Sequence, residues 1–118
     1  MLIVDDEPTI RDVLQEILLE AGFDVACAHN GVAALEVLDA WWPDVILLDL
    51  MMPVMDGFAF ARAYRAIGPD SLPSFILMSA AMDAQAAADT LGASGWIQKP
   101  FDIEDILELV APYVPRNQ

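Results

Sequence analysis

Apolar residues fall into short unbroken runs and longer stripes at helical spacing, and the two kinds alternate along the chain. Val45-Ile46-Leu47-Leu48 is the clearest run, and it ends in Asp49. Such a run reads as a strand buried on both faces, as in a parallel sheet. Met1-Leu2-Ile3-Val4 is a second run, closed by Asp5-Asp6-Glu7. Pro8 then opens a predicted helix whose apolar face is Ile10, Val13, Leu14, Ile17 and Leu18, with Gly22 placed to end it. Phe23 to Ala28 is predicted as the second strand, and Asn30-Gly31 as a turn. Ala34, Val37, Leu38 and Trp41 repeat at helical spacing, and Trp42-Pro43-Asp44 breaks that helix before the central strand.

The second half continues in the same way. The loop after Asp49 closes with Pro53 and the turn-type pair Asp56-Gly57. Phe60, Ala63, Tyr64 and Ile67 form the next helical stripe, and residues 68–71 read as a loop. Phe75 to Met78 is a fourth buried strand ending at Ser79, and the alanine-rich stretch from Asp83 to Leu91 is a helix stopped near Gly92. Gly95-Trp96-Ile97-Gln98 is a fifth strand ending at Lys99-Pro100, and Ile103, Ile106, Leu107 and Val110 mark a last helix before Pro112. Strand and helix alternate five times, which predicts an α/β fold with a doubly wound parallel sheet. The flavodoxin-like strand order 2-1-3-4-5 is the expected arrangement.

Composition narrows the picture. The 118 residues suit a single domain spanning 1–118, and 57% of them are apolar, enough to fill a core. The apolar runs are too short to cross a bilayer, and no signal peptide is read at the start. The lone cysteine, Cys27, excludes an internal disulfide and favours a reduced, cytoplasmic setting. Nineteen acids against five Lys plus Arg give a formal net charge of −14. Nucleic acid and anionic membranes are therefore poor partners, whereas cations and basic surfaces suit this charge. Cys27, His29 and the Trp41-Trp42 pair read as packing or loop residues.

In an open parallel sheet, ligands bind outside the carboxyl ends of the strands. Those ends carry Asp5, Asp6, Asp49, Ser79 and Lys99, the one lysine of the chain. Strands 1 and 3 are neighbours in the expected order, which sets Asp5, Asp6 and Asp49 side by side. Three like charges repel unless a cation sits among them, and Mg²⁺ favours carboxylate and water oxygens. A lysine and a hydroxyl opposite suit an anion. A metal, a carboxylate and an anion clamp are the parts that phosphoryl transfer to a carboxylate needs.

Asp5-Asp6-Glu7-Pro8, Asp49-Leu50-Met51-Met52-Pro53 with Asp56-Gly57, Met78-Ser79-Ala80 and Lys99-Pro100-Phe101 together resemble the receiver domain of two-component response regulators, over essentially the whole chain. The resemblance implies that Asp49 is phosphorylated from a histidine kinase or a histidine phosphotransfer protein. It implies Mg²⁺ held by Asp6, Asp49 and the carbonyl of Met51, with Asp5 acting through water. Ser79 and Lys99 would contact the phosphoryl oxygens, and Trp96 would be the switch aromatic, a position more often Tyr, Phe or His. Met51 and Ala81 occupy positions that tune phosphoryl lifetime in that family. A cis Lys99–Pro100 bond is expected.

Output would leave through the fourth helix, fifth strand and fifth helix, toward a partner or an output domain, and the family allows a phosphorylation-dependent homodimer. The domain would be a phosphoacceptor that assists its own chemistry, not an enzyme with a separate substrate. One rival is a metal-dependent phosphatase with an aspartate nucleophile, but its second Asp would fall at position 51, which is methionine. A nucleotide-binding domain lacks its glycine-rich motif here. A receiver-like binding module that is not phosphorylated is the remaining alternative.

Overall fold

The computed structural model describes residues 1–52, 56–66, 74–80 and 84–114. Within them the order is β1 (Leu2–Val4), α1 (Pro8–Glu20), β2 (Ala26–Ala28), α2 (Gly31–Ala40), β3 (Val45–Asp49), α3 (Gly57–Arg65), β4 (Ser74–Ser79), α4 (Ala84–Leu91), β5 (Gly95–Gln98) and α5 (Ile103–Val110), followed by a short 3₁₀ turn at Ala111–Tyr113. The strands form one sheet in the order β2-β1-β3-β4-β5, and every pairing is parallel. The predicted fold class is therefore the observed one. Pro53, Ile67, the loop at 68–71, Ala81 and Asp83 lie outside the described residues.

Strand alternation divides the core into two layers. Ile3, Val45, Leu47, Ile76, Met78 and Ile97 face α1 and α5, where they pack with Leu14, Leu18, Ile106 and Val110. Leu2, Val4, Ile46, Leu48, Phe75 and Leu77 face α2, α3 and α4, where they meet Ala34, Leu38, Phe60, Tyr64 and Ala88. All five residues of β3 are buried, which is why its sequence lacks the polar alternation of a half-exposed strand. Truncating a fully buried leucine here, such as Leu47→Ala, would cost about 2–5 kcal/mol.

Local chemistry corrects three readings. The second strand is shorter than predicted because Phe23 belongs to the helix end instead. Gly22 has φ +101°, its N–H donates to the Leu19 carbonyl (3.1 Å), and the Phe23 N–H donates to the Leu18 carbonyl (3.0 Å). That is a Schellman cap, with Phe23 as its buried apolar residue. Asn30-Gly31 and Asp56-Gly57 are helix starts, not free turns. Asn30 Oδ1 accepts from the Ala33 N–H (2.9 Å) and Asp56 Oδ1 from the Ala59 N–H (2.8 Å). Val13 and Ile103, predicted on the apolar faces of their helices, are 44% and 49% exposed. They line an apolar groove of about 480 Å³ between α1 and the β5–α5 connection, with Glu7 and Lys99 also on its lining. Helical periodicity marks an apolar stripe but does not distinguish a sealed core from an open groove.

Candidate functional site

β1, β3 and β5 deliver Asp5, Asp49 and Lys99 to one end of the sheet. The alternation that sorts the core also sorts these residues. Ile3, Leu47 and Ile97 face α1 and α5, so Asp5, Asp49 and Lys99, each two positions further on, are carried to that same side. Ser79 follows Leu77 by two and falls to the opposite side, with Trp96, the register partner of Leu77. The peptide bond between Lys99 and Pro100 is cis, as expected.

Asp5 is fully enclosed and engaged at every polar atom. Its N–H donates to the Ala28 carbonyl (3.1 Å), and its carbonyl accepts from Arg11 Nη1 (2.7 Å). Its Oδ1 accepts from the Glu7 N–H (2.9 Å) and its Oδ2 from Lys99 Nζ (2.7 Å). Lys99 Nζ also lies 3.5 Å from Glu7 Oε1 and 3.5 Å from Asp49 Oδ2. The lysine thus rests on Asp5, with Asp49 within its reach. Burial by itself would lower the pKa of Lys99, but the hydrogen bond and charge of Asp5, then Asp49 and Glu7, raise it overall. It is an ammonium throughout the physiological range.

Asp49 is 3% exposed, and its Oδ1 accepts from the Met51 N–H (3.2 Å). Burial first, and the charge of Asp5 second, push its pKa up to about 6; Lys99 and the Met51 N–H oppose them. Asp6 is exposed and contributes a hydrogen bond that also raises Asp49. Asp5, Asp6 and Asp49 can each direct an oxygen so that all three lie within 4.8 Å of one another. Asp5, Glu7 and Asp49 stand around the one ammonium, and Asp6 adds a fourth carboxylate to the cluster. The excess of negative charge and the all-oxygen donor set fit a hard divalent cation, and the raised pKa of Asp49 is what such a cluster shows without one.

The start of α3 fixes the chain just past Asp49. The Gly57 N–H donates to the Leu50 carbonyl (3.0 Å), and a Cβ at position 57 would lie 2.8 Å from Leu50 Cα and 2.9 Å from the Asp49 carbonyl oxygen. Glycine is required here for close approach, not for a turn. Ser79 is completely buried at the end of β4, and its carbonyl accepts from the Lys99 N–H (2.7 Å). Trp96 is 40% exposed on the edge strand β5. Met51 is 63% exposed at the rim.

Of the strand-end residues predicted to converge, Asp5, Asp6, Asp49 and Lys99 come together, whereas the Ser79 side chain falls to the opposite side of the sheet. Two participants were not foreseen. Arg11 clamps the Asp5 carbonyl from one turn inside α1, and Glu7 is a further counter-charge to Lys99. The run Asp5-Asp6-Glu7 signals the latter; no sequence feature signals the former.

A doubly wound parallel sheet with a buried carboxylate at the β1/β3 switch point, flanked by two acids and a lysine, defines a class: α/β domains with an acidic site at the carboxyl ends of their strands. A family model, the response regulator receiver domain, matches residues 1–111. The chain belongs to that family. It is 37% identical over 119 residues to the response regulator MprA of Mycobacterium ulcerans, and 36% identical to MprA of Mycobacterium tuberculosis H37Rv. Each alignment covers 100% of this chain and 51% of the relative, so the chain spans about half the length of the curated relatives it matches. Among solved structures it resembles the chemotaxis response regulator CheY4 of Vibrio cholerae (TM-score 0.85, 32% identity, 94% of each chain covered). It also resembles the response regulator TrrA of Thermotoga maritima, solved in complex with Mg²⁺-BeF (TM-score 0.81, 32% identity, 94% of this chain and 95% of that one). Among the described residues no helix is long and apolar enough to cross a membrane.

Proposed function

We propose that this domain is a phosphorylation-controlled switch in which Asp49 takes a phosphoryl group from a phosphohistidine of a histidine kinase or phosphotransfer protein. The observation that carries the reading is the buried Asp49 carboxylate, 3.5 Å from Lys99 and within a three-carboxylate cluster. In the transfer, an Asp49 oxygen attacks phosphorus, the N–P bond breaks, and its electron pair returns to the imidazole. Asp6 and Asp49, with the Met51 carbonyl, would hold Mg²⁺, with Asp5 acting through water, and the ion would offset charge on the transferring group. Lys99 turns from Asp5 toward the phosphoryl oxygens, and the Ser79 hydroxyl meets them from the other side of the sheet edge. Trp96 then reports the change to the α4–β5–α5 surface, which engages an output protein or domain. The groove lined by Glu7 and Lys99 offers the donor protein apolar contact beside the acceptor. A cytoplasmic setting follows from the donor.

The test is incubation with Mg²⁺ and phosphoramidate. The expected product is a single acid-stable, base-labile acyl phosphate on Asp49, absent in Asp49→Asn. Label that persists in that variant, or maps to a serine, overturns the assignment.

A further inference from the structure

We propose that Met51 is a reversible oxidation site that sets the lifetime of the phosphoryl group on Asp49; its effect on lifetime rests on the reading of Asp49 as the phosphoacceptor. Exposure sets one methionine apart from the others. Among the described residues there are four thioethers. Met1, Met52 and Met78 are 3%, 8% and 0% exposed, whereas Met51 is 63% exposed. Oxidation of methionine by a peroxide requires access to sulfur, so the buried three are protected and Met51 is not. The sulfur lone pair attacks one oxygen of hydrogen peroxide, the O–O bond breaks, and the departing hydroxide gains a proton. Sulfur is oxidised to the sulfoxide, and the peroxide is reduced to water.

Position gives this modification a consequence. The Met51 N–H donates to Asp49 Oδ1 (3.2 Å), so residue 51 is anchored to the acceptor carboxylate. Asp49 is 3% exposed, and Met51, 63% exposed, is the solvent-facing residue tied to its carboxylate through that N–H. The thioether is apolar and a weak acceptor. The sulfoxide carries a polar oxygen on a flexible side chain at the same place. An acceptor beside the phosphoryl group orients an attacking water and takes up its proton's hydrogen bond. Oxidation therefore shortens the phosphorylated state.

The experiment treats the protein with dilute hydrogen peroxide and maps the added oxygen by fragmentation mass spectrometry, which separates Met51 from Met52. Met51 should be modified well before Met1, Met52 or Met78. Treated and untreated protein are then charged with Mg²⁺ and phosphoramidate, and acyl-phosphate decay is followed after the donor is removed. The oxidised protein should decay about threefold faster, small beside the roughly 100-fold of a well-placed general base. Incubation with both stereospecific methionine sulfoxide reductases should restore the untreated rate. In Met51→Leu, the ratio of treated to untreated decay rates should be one. Oxidation of Met52 or Met78 as fast as Met51 overturns the proposal, as does a decay rate unchanged or slowed by Met51 oxidation, or a ratio that persists in Met51→Leu. An untreated protein that forms no acyl phosphate overturns the phosphoacceptor reading and this one with it. Normal charging with unaltered decay overturns the oxidation effect alone.

Discussion

Replacing Asp49 with asparagine should stabilise the metal-free protein, and by an amount that depends on pH. In the folded protein Asp49 has its pKa raised from the ordinary 3.8 to about 6, chiefly by burial and by Asp5. The folded state therefore holds a proton at pH values where the unfolded chain has released it. Stability contributed by this group rises as pH falls through about 6, and its ionisation costs stability above that. At about 1.4 kcal/mol per pKa unit, the cost is about 3 kcal/mol at pH 7.5, roughly half that at pH 5, and close to zero by about pH 3. Asparagine retains an oxygen for the Met51 N–H and does not titrate. Urea unfolding in EDTA should show Asp49→Asn more stable by about 3 kcal/mol at pH 7.5, with the gap closing as pH drops and with unchanged m-value. A variant no more stable than the parent at pH 7.5, or a gap that does not depend on pH, would refute the account of the cluster as strained by its own charge.

Millimolar Mg²⁺ should raise the melting temperature of the native protein, since a ligand at a hundredfold excess over its Kd adds about 2.7 kcal/mol. Asp6→Ala should lose that rise, and an equal rise in the variant would point to screening of the overall charge. Gly57→Ala should cost about 1–3 kcal/mol in urea unfolding, because its methyl meets Leu50 Cα at 2.8 Å; unaltered stability would contradict the close approach. In a Trp41→Phe, Trp42→Phe background, a beryllofluoride-type phosphoryl mimic should shift Trp96 emission, and Ser79→Ala should blunt the shift. Constant emission while the mimic binds would show that Trp96 does not take part in the switch.

Much of this architecture is legible in the chain because it rests on long-range patterning. The unbroken run at 45–48 can only be satisfied between two layers, and five alternations leave few topologies. Asp5, Asp49 and Lys99 could be placed together because each ends a strand. What escaped was decided by single contacts. Phe23 looks like a strand residue until the Leu18 carbonyl claims its N–H as part of a helix cap. Asn30 and Asp56 have the composition of turns, and only the third following N–H reveals them as caps. The choice of Lys99 between Asp5 at 2.7 Å and Asp49 at 3.5 Å depends on Arg11 and Glu7 holding Asp5 in place. No periodicity encodes that preference.

The sorting of side chains by strand alternation has a consequence for how the domain tolerates change. Asp5, Asp49 and Lys99 meet because each stands two positions beyond a residue of the α1/α5 layer, so the site is written in a count as much as in an alphabet. Swapping Leu47 for isoleucine leaves the count alone. Deleting it turns Asp49 to the opposite face and turns each core residue on one side of the deletion with it. Drift in this domain is therefore free to respell its strands but not to shorten them by one, and insertions and deletions should collect in the connections at the far end of the sheet, where no count is kept.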